Sequence, residues 1–207
     1  MYLRVTVINS APSKLEAGIA NFNEKVVPAA EKIPGYRGAT LIINRETGQA
    51  AGSTLWESLE AMNKAEQMGQ QARMQAEEAT GAEVIDVDRF EITVLERSDE
   101  IKLPNYTRVT TAYGPLDRAD KVEQLTRGEV LAKLKAQPGF RAFAAGVNRM
   151  TGRGFTASSW ATPEQREASN AAVASVRDKV IQTGGFYGLE VQLFETVVAQ
   201  IKQGAAV

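Results

Sequence analysis

Two stretches of this chain, 104 residues apart, carry the same pattern. Residues 34–48 read PGYRGATLIINRETG, and residues 138–152 read PGFRAFAAGVNRMTG. Pro, Gly, Arg, Asn, Arg, Thr and Gly recur in the same places, and Tyr36 is matched by Phe140. A period this long indicates a duplicated domain, since solenoid repeats are much shorter.

The same spacing extends towards both ends of the chain. It relates Trp56 to Trp160, and it relates the pair Phe90-Glu91 to the pair Phe194-Glu195. The first helix is predicted to be out of step by one residue, because Phe22 aligns best with Leu125. We therefore predict a first repeat at 1–96, a linker at 97–105, a second repeat at 106–200 and a C-terminal tail at 201–207.

Within one repeat, the pattern alternates between strands and amphipathic helices. Residues 2–9 alternate as a strand, and the apolar residues that follow have helical spacing. Ser13 and Glu16 form a predicted capping box, and Ser58 and Thr162 are predicted to cap the second helix of each repeat. Two strands and a hairpin separate the helices, and one more strand ends the repeat. Each repeat is thus predicted to be a β-α-β-β-α-β unit.

This order is that of the ferredoxin-like unit, which places two helices on one face of a four-stranded antiparallel sheet. The fold class is therefore α+β. The other face of each sheet also carries apolar residues and needs cover. We expect the sheets of the two repeats to face one another and to form a pseudo-twofold α/β barrel.

Composition excludes several kinds of site. The 207 residues contain neither His nor Cys, so catalytic triads, haem with a proximal histidine and cysteine-bound metals are excluded. We expect no metal and no cofactor. The formal net charge of −1 and the absence of a basic stripe argue against nucleic acid and membrane partners. The expected location is the cytoplasm.

The run Trp56-Glu57-Ser58-Leu59-Glu60-Ala61, with its counterpart at 160–165, resembles the dimeric α/β-barrel superfamily, and most closely its antibiotic-biosynthesis monooxygenase-like domain. Members are usually homodimers of one unit, whereas here both units lie in one chain. The resemblance implies a cavity for small aromatic or polyketide-like molecules, which some members oxygenate without metal or flavin. Many members carry His nine residues after the Trp, where this chain has Ala65 and Ser169.

Five side chains are candidate ligand contacts. Trp56 and Trp160 are expected mainly in the core, with stacking on an aromatic ligand as the functional alternative. Asn9, Tyr113 and Tyr187 lie at predicted strand ends, where binding residues are common. Since rim positions differ between the repeats, we expect the site in the second repeat, near Tyr113, Trp160 and Tyr187. Catalytic residues are not assigned.

Charged residues retained in both repeats have a structural interpretation. Arg4 with Glu91, and Arg108 with Glu195, are predicted to be ion pairs between neighbouring strands. The Asn-Arg pairs that begin at Asn44 and at the matching position of the second repeat are attributed to turn formation.

Two functions remain open. One is a non-catalytic protein that binds a small hydrophobic or aromatic molecule in a cavity, as a monomeric barrel or a homodimer of barrels. The alternative is a cofactor-independent monooxygenase or isomerase that acts on an activated aromatic or quinol-like substrate.

Overall fold

The first repeat has the predicted order of elements, and each of its helical segments is interrupted. A computed structural model describes residues 1–98 and 102–202 of the chain. The elements of this repeat are β1 (Tyr2–Asn9), α1 (Leu15–Asn21), α2 (Val27–Glu31), β2 (Tyr36–Ile43), β3 (Gln49–Trp56), α3 (Leu59–Lys64), α4 (Glu66–Thr80) and β4 (Glu83–Arg97).

The second repeat follows the first at a spacing of 104 residues throughout. Its elements are β5 (Asn105–Tyr113), α5 (Ala119–Leu125), α6 (Leu131–Lys135), β6 (Phe140–Val147), β7 (Arg153–Trp160), α7 (Pro163–Gly184) and β8 (Tyr187–Ile201). The π-helical turns at Phe22–Val26 and Thr126–Val130 keep this spacing. The predicted slip of the first helix is wrong, because Thr126 and not Leu125 occupies the position of Phe22. An alignment guided by apolar residues misses a position where the apolar character itself was lost.

The second helix of each repeat begins at the predicted cap. The Ser58 hydroxyl accepts a hydrogen bond from the Ala61 N–H at 3.1 Å, and the Thr162 hydroxyl accepts one from the Gln165 N–H at 3.2 Å. The predicted capping box before α1 is wrong. A 3₁₀ turn at Pro12–Lys14 precedes that helix, no side chain caps it, and the Lys14 N–H donates to the Ala11 carbonyl oxygen at 2.8 Å instead.

The repeated Asn-Arg pairs form the hairpin turns, as predicted. Asn44 Oδ1 accepts hydrogen bonds from the backbone N–H groups two and three residues later, at 2.9 and 3.0 Å, and Asn148 Oδ1 does the same at 2.9 and 3.2 Å. Gly48 ends the first turn with a φ of 77°, and a Cβ there would lie 1.9 Å from the Ser10 carbonyl oxygen. The turn therefore requires glycine for both conformation and space.

The described residues divide into two compact units. Unit 1 contains residues 1–90 and 194–202, and unit 2 contains the described part of 91–193. Each unit is therefore built from most of one repeat and from the second half of the other repeat's last strand. In unit 1, β2 pairs antiparallel with β8, with Ile43 opposite Glu195. In unit 2, β4 pairs antiparallel with β6, with Glu91 opposite Val147.

The hydrogen-bonded order of the strands is β1-β3-β2-β8-β5-β7-β6-β4, and they close into an eight-stranded antiparallel barrel. Each repeat contributes four consecutive strands in the order 4-1-3-2, which is that of the ferredoxin-like unit. The predicted α+β fold class is confirmed. The proposed linker and tail lie partly outside the described residues.

No helix within residues 1–98 and 102–202 has the length and apolar character that a membrane span requires.

Candidate functional site

Unit 2 contains a large cavity between its sheet and its helices. The cavity has a volume of about 590 Å³ and is lined mainly by apolar side chains. Contributors from the helices and from the segment before β8 include Val122, Val130, Val173, Ile181 and Phe186. A volume of this size is typical of small-molecule sites, which range from roughly 300 to 1,000 Å³.

Unit 1 has a cavity in the equivalent place, but its volume is about 100 Å³. The difference follows from large side chains of the first repeat that are small in the second. All of these side chains line their respective cavities. The pairs are Ile8 and Ala112, Leu15 and Ala119, Phe22 and Thr126, and Leu41 and Ala145.

On the helix that covers each cavity, the difference in side-chain size is reversed, with small residues in the first repeat and larger ones in the second. In α4, the small residues Gly69, Ala72 and Ala76 line the cavity and allow close approach to the sheet. A Cβ at Gly69 would lie 2.8 Å from Nη1 of Arg4. Valines occupy the three equivalent positions of α7. The small side chains on the sheet and the first helix of the second repeat therefore account for the larger open volume in unit 2.

An arginine of the first strand of each repeat lines the cavity of its unit. Arg108 donates hydrogen bonds to the Arg166 carbonyl oxygen and, at 3.2 Å, to the Ser169 hydroxyl. Burial lowers the pKa of Arg108, the charge of Glu167 opposes this shift, and Arg177 adds to it. Arg108, Glu167 and Arg177 all line the cavity of unit 2, together with Asn170.

In unit 1 the matching arginine is bound by a carboxylate. Arg4 is 3% exposed and donates to the Met62 and Ala65 carbonyl oxygens at 2.5 and 3.2 Å. Its Nη2 also lies 2.9 Å from Oε2 of Glu66. The carboxylate of Glu66 is shared with Arg73 at 2.9 Å and with Arg89 at 2.8 Å.

The predicted ion pairs of Arg4 with Glu91 and of Arg108 with Glu195 are therefore wrong. Glu91 begins the part of β4 that pairs with β6, and it accepts a hydrogen bond from Arg149 at 3.0 Å. Glu195 occupies the equivalent part of β8 and binds Arg45. Strand adjacency alone does not place two side chains together when a strand changes partners along its length.

The two tryptophans lie in the cores of their units. Trp56 and Trp160 are 0% exposed, and their rings meet Tyr36 and Phe140 edge-on at 5.7 and 5.8 Å. Each indole N–H donates to a hydroxyl two residues earlier in its strand. Neither tryptophan is among the residues that line the cavity of its unit.

Tyr113 and Tyr187 come together at the surface of unit 2. Their rings stack with centroids 5.9 Å apart, and they are 37% and 65% exposed. They adjoin the cavity through their chain neighbours Gly114 and Phe186, which line it. Asn9 is exposed at the end of β1 in unit 1. None of these three side chains lines either of the two cavities described above.

The sequence analysis missed Arg108, Arg177 and Asn170 as members of one site. A signal was available, because the spacing of 104 residues matches Asn170 with Glu66 while it retains both arginines. Among residues 1–98 and 102–202, no cluster of three or more acidic side chains suits a metal ion.

Comparison with known proteins gives two kinds of relative. No family model matches the chain. The uncharacterized protein Rv2557 of Mycobacterium tuberculosis is 26% identical over 179 residues, which cover 84% of this chain and 80% of the relative. The uncharacterized protein Rv2558 of the same organism is 24% identical over 203 residues, which cover 98% and 86%.

Solved structures resemble the whole chain at low sequence identity. A proposed monooxygenase from Fusobacterium nucleatum has a TM-score of 0.74 at 11% identity, with coverage of 100% of this chain and 96% of the other. An anthrone oxidase-like protein has a TM-score of 0.67 at 19% identity, with coverage of 98% and 92%. The chain therefore has the fold of the antibiotic-biosynthesis monooxygenase-like, dimeric α/β-barrel proteins, with both repeats in a single chain.

Proposed function

We propose that this chain binds a small hydrophobic or aromatic molecule in the cavity of unit 2. The observation that carries the proposal is the cavity of about 590 Å³, which is lined mainly by apolar groups and has Arg108 among its few polar lining residues. A site of this kind gains affinity from apolar contact and orients its ligand through a few polar groups.

The comparison of the two units supports this assignment. Both repeats keep the same elements, so the backbone does not require a void at this place. In unit 1 the side chains of Phe22 and Leu41 line a cavity of about 100 Å³. An open volume retained in unit 2 alone costs packing energy, and occupancy by a ligand would offset that cost.

Tyr113 and Tyr187 are proposed to contact the ligand as it enters. Their stacked and exposed rings offer an aromatic surface next to lining residues of the cavity. Trp160 is proposed to sense the ligand from the core, since its indole donates to Ser158, which lines the cavity. Trp56 and Asn9 are weaker candidates, because they belong to the unit with the smaller cavity.

The test is binding of a neutral aromatic probe, 2-naphthamide, measured by calorimetry. One equivalent is expected to bind per chain. Thr126→Phe should prevent binding, because phenylalanine fills the equivalent position of unit 1. Thr126→Ser is the matched control and should bind as the parent protein does. If the probe does not bind, or binds equally well to both variants, the proposal is wrong.

A cofactor-independent oxygenase is the second candidate, and the presence of Arg108 in the cavity lining favours it. A guanidinium beside an apolar volume stabilises the enolate or phenolate form of an aromatic substrate, and such an anion is the species that reacts directly with oxygen. The likeness to an anthrone oxidase-like protein makes an anthrone the appropriate substrate. Oxygen uptake that requires both anthrone and the open cavity, and that Thr126→Phe abolishes, would establish this function.

A further inference from the structure

The arginine that lines the cavity contacts residues at the same two repeat positions in both units. Arg4 donates to backbone oxygens 58 and 61 residues later, and Arg108 contacts residues at those same two separations. The two units differ in the residue that the covering helix places near this arginine. Unit 1 has Glu66 beside its arginines, and unit 2 has Asn170 in the equivalent position.

The carboxylates that line the cavity of unit 2 accept hydrogen bonds from other side chains, and Glu167 also acts on Arg108 through its charge. Glu123 accepts a hydrogen bond from Arg127 at 3.1 Å, and exposed Glu167 accepts one from the Asn170 amide at 3.0 Å. Arg108, by contrast, donates to the neutral oxygens of a carbonyl and a hydroxyl. Arg177 makes a long contact of 3.8 Å with Asp178, in which both side chains are about half exposed or more.

We propose that the ligand of unit 2 is an apolar molecule that carries a carboxylate, and that this carboxylate takes the place that Glu66 has in unit 1. The proposal rests on the binding function proposed above and names its ligand class. The carboxylate would lie between Arg108 and Arg177, and the apolar body would extend among the valines of α5 and α7.

Unit 1 supplies the precedent within the same molecule. There, Arg4 and Arg73 each lie 2.9 Å from an oxygen of the Glu66 carboxylate. Hydrogen bonds between guanidinium and carboxylate groups are among the strongest in proteins, and a partly buried guanidinium gains more from an anion than from neutral oxygens. In the unit that also has the open cavity, the neutral Asn170 stands in the place of this carboxylate.

The experiment compares two probes that differ in charge but hardly in shape. Calorimetry at pH 7 measures the dissociation constants of 2-naphthoate and 2-naphthamide for the full chain. We expect the carboxylate to bind at least tenfold more tightly. Asn170→Glu should remove this advantage, because the new carboxylate would occupy the arginines as Glu66 does. Asn170→Gln introduces a side chain of the same size as glutamate but without its charge, and it should retain the advantage of the carboxylate probe.

The outcomes separate the two proposals. If both probes bind equally, the ligand class is wrong while the binding function stands. An advantage of 2-naphthoate that survives in Asn170→Glu also contradicts the proposed position of the carboxylate. If neither probe binds, both proposals fail. Circular dichroism of each variant shows that it is folded, and retained binding of 2-naphthamide to Asn170→Glu shows that the cavity is intact.

Discussion

Arg45 and Glu195 are 150 residues apart in the chain and share two hydrogen bonds. Nε of Arg45 donates to Oε2 of Glu195 at 2.7 Å, and Nη2 donates to Oε1 at 3.4 Å. The hairpin of the first repeat thereby holds the last strand of the second repeat within unit 1. The hydrogen bonds that Arg45 donates to the carboxylates of Glu195 and Glu16 raise its pKa above the ordinary value. Arg149 and Glu91 make the equivalent contact in unit 2.

The first prediction concerns this pair. In a double-mutant cycle of Arg45→Ala and Glu195→Ala, we expect a coupling free energy of about 0.5–1 kcal/mol, because the pair is partly exposed to solvent. Urea unfolding at low salt and at 1 M NaCl measures it, and salt should weaken it. The Arg37–Glu57 pair, at 2.6 Å and with both side chains 43–49% exposed, is the control and should give a smaller value. A coupling near zero for Arg45 and Glu195 would contradict the assigned role.

The second prediction concerns pH and Glu66. Burial raises the pKa of this carboxyl group, but hydrogen bonds from Arg89 and Arg73 and the charge of Arg4 outweigh burial and lower it. Because the pKa is lower in the folded state, the ion pairs stabilise that state fully at pH values above the ordinary glutamate pKa of 4.5. This stabilisation is lost as the pH falls through the lowered pKa. Glu66→Gln lacks this contribution, so its free energy of unfolding should fall less on acidification.

Urea unfolding of both proteins between pH 7 and pH 3 checks this expectation. Glu60→Gln is the control, because that carboxyl group is exposed and pairs with Lys64 on the same helix. Its acid dependence should follow that of the parent protein closely. Equal acid dependence of the parent and of Glu66→Gln would show that the cluster around Glu66 does not contribute to stability.

The third prediction concerns matched substitutions in the two cavities. Leu41→Ala removes a buried side chain from unit 1 and should lower the free energy of unfolding by about 3 kcal/mol. Ala145→Leu places the same side chain in the open cavity of unit 2 and should raise stability by about 0.5–1 kcal/mol. Urea unfolding measures both. A large loss of stability in Ala145→Leu would mean that the cavity cannot accommodate the added atoms.

The fourth prediction places the ligand by fluorescence. A brominated probe, 6-bromo-2-naphthamide, quenches tryptophan at short range. In Trp56→Phe, where Trp160 is the reporter, quenching should be saturable. In Trp160→Phe, where Trp56 is the reporter, quenching should be much weaker, because the cavity of unit 1 is about 100 Å³. Equal quenching of the two reporters would indicate two equivalent sites and would contradict the assignment to unit 2.

Several features of the fold follow from the sequence because they depend on local chemistry. Asn44 and Gly48 close their turn through a side-chain oxygen and a left-handed backbone, both of which are properties of those residue types. Ser58 caps its helix for the same kind of reason. The burial of Trp56 and Trp160 follows from the size and polarity of the indole ring.

The candidate site was predictable only in part. The sequence indicated a cavity and favoured the second repeat, but it named Tyr113 and Tyr187 instead of Arg108 and Arg177. The side chains named at strand ends lie beside the cavity, because alternation along a strand directs neighbouring residues to opposite faces. Aligning the two repeats would have pointed to these arginines, because Asn170 occupies the position that Glu66 has in the first repeat.

The sequence by itself determined the duplication, the order of elements and the turns, because each depends on residues that are close together in the chain. Tertiary structure decided which strand half pairs with which repeat, and so gave Glu91 and Glu195 their partners. It also decided the cavity volume. That volume is the space left when side chains of α5, α7 and the sheet meet, and it depends on the distances between those elements rather than on any one segment.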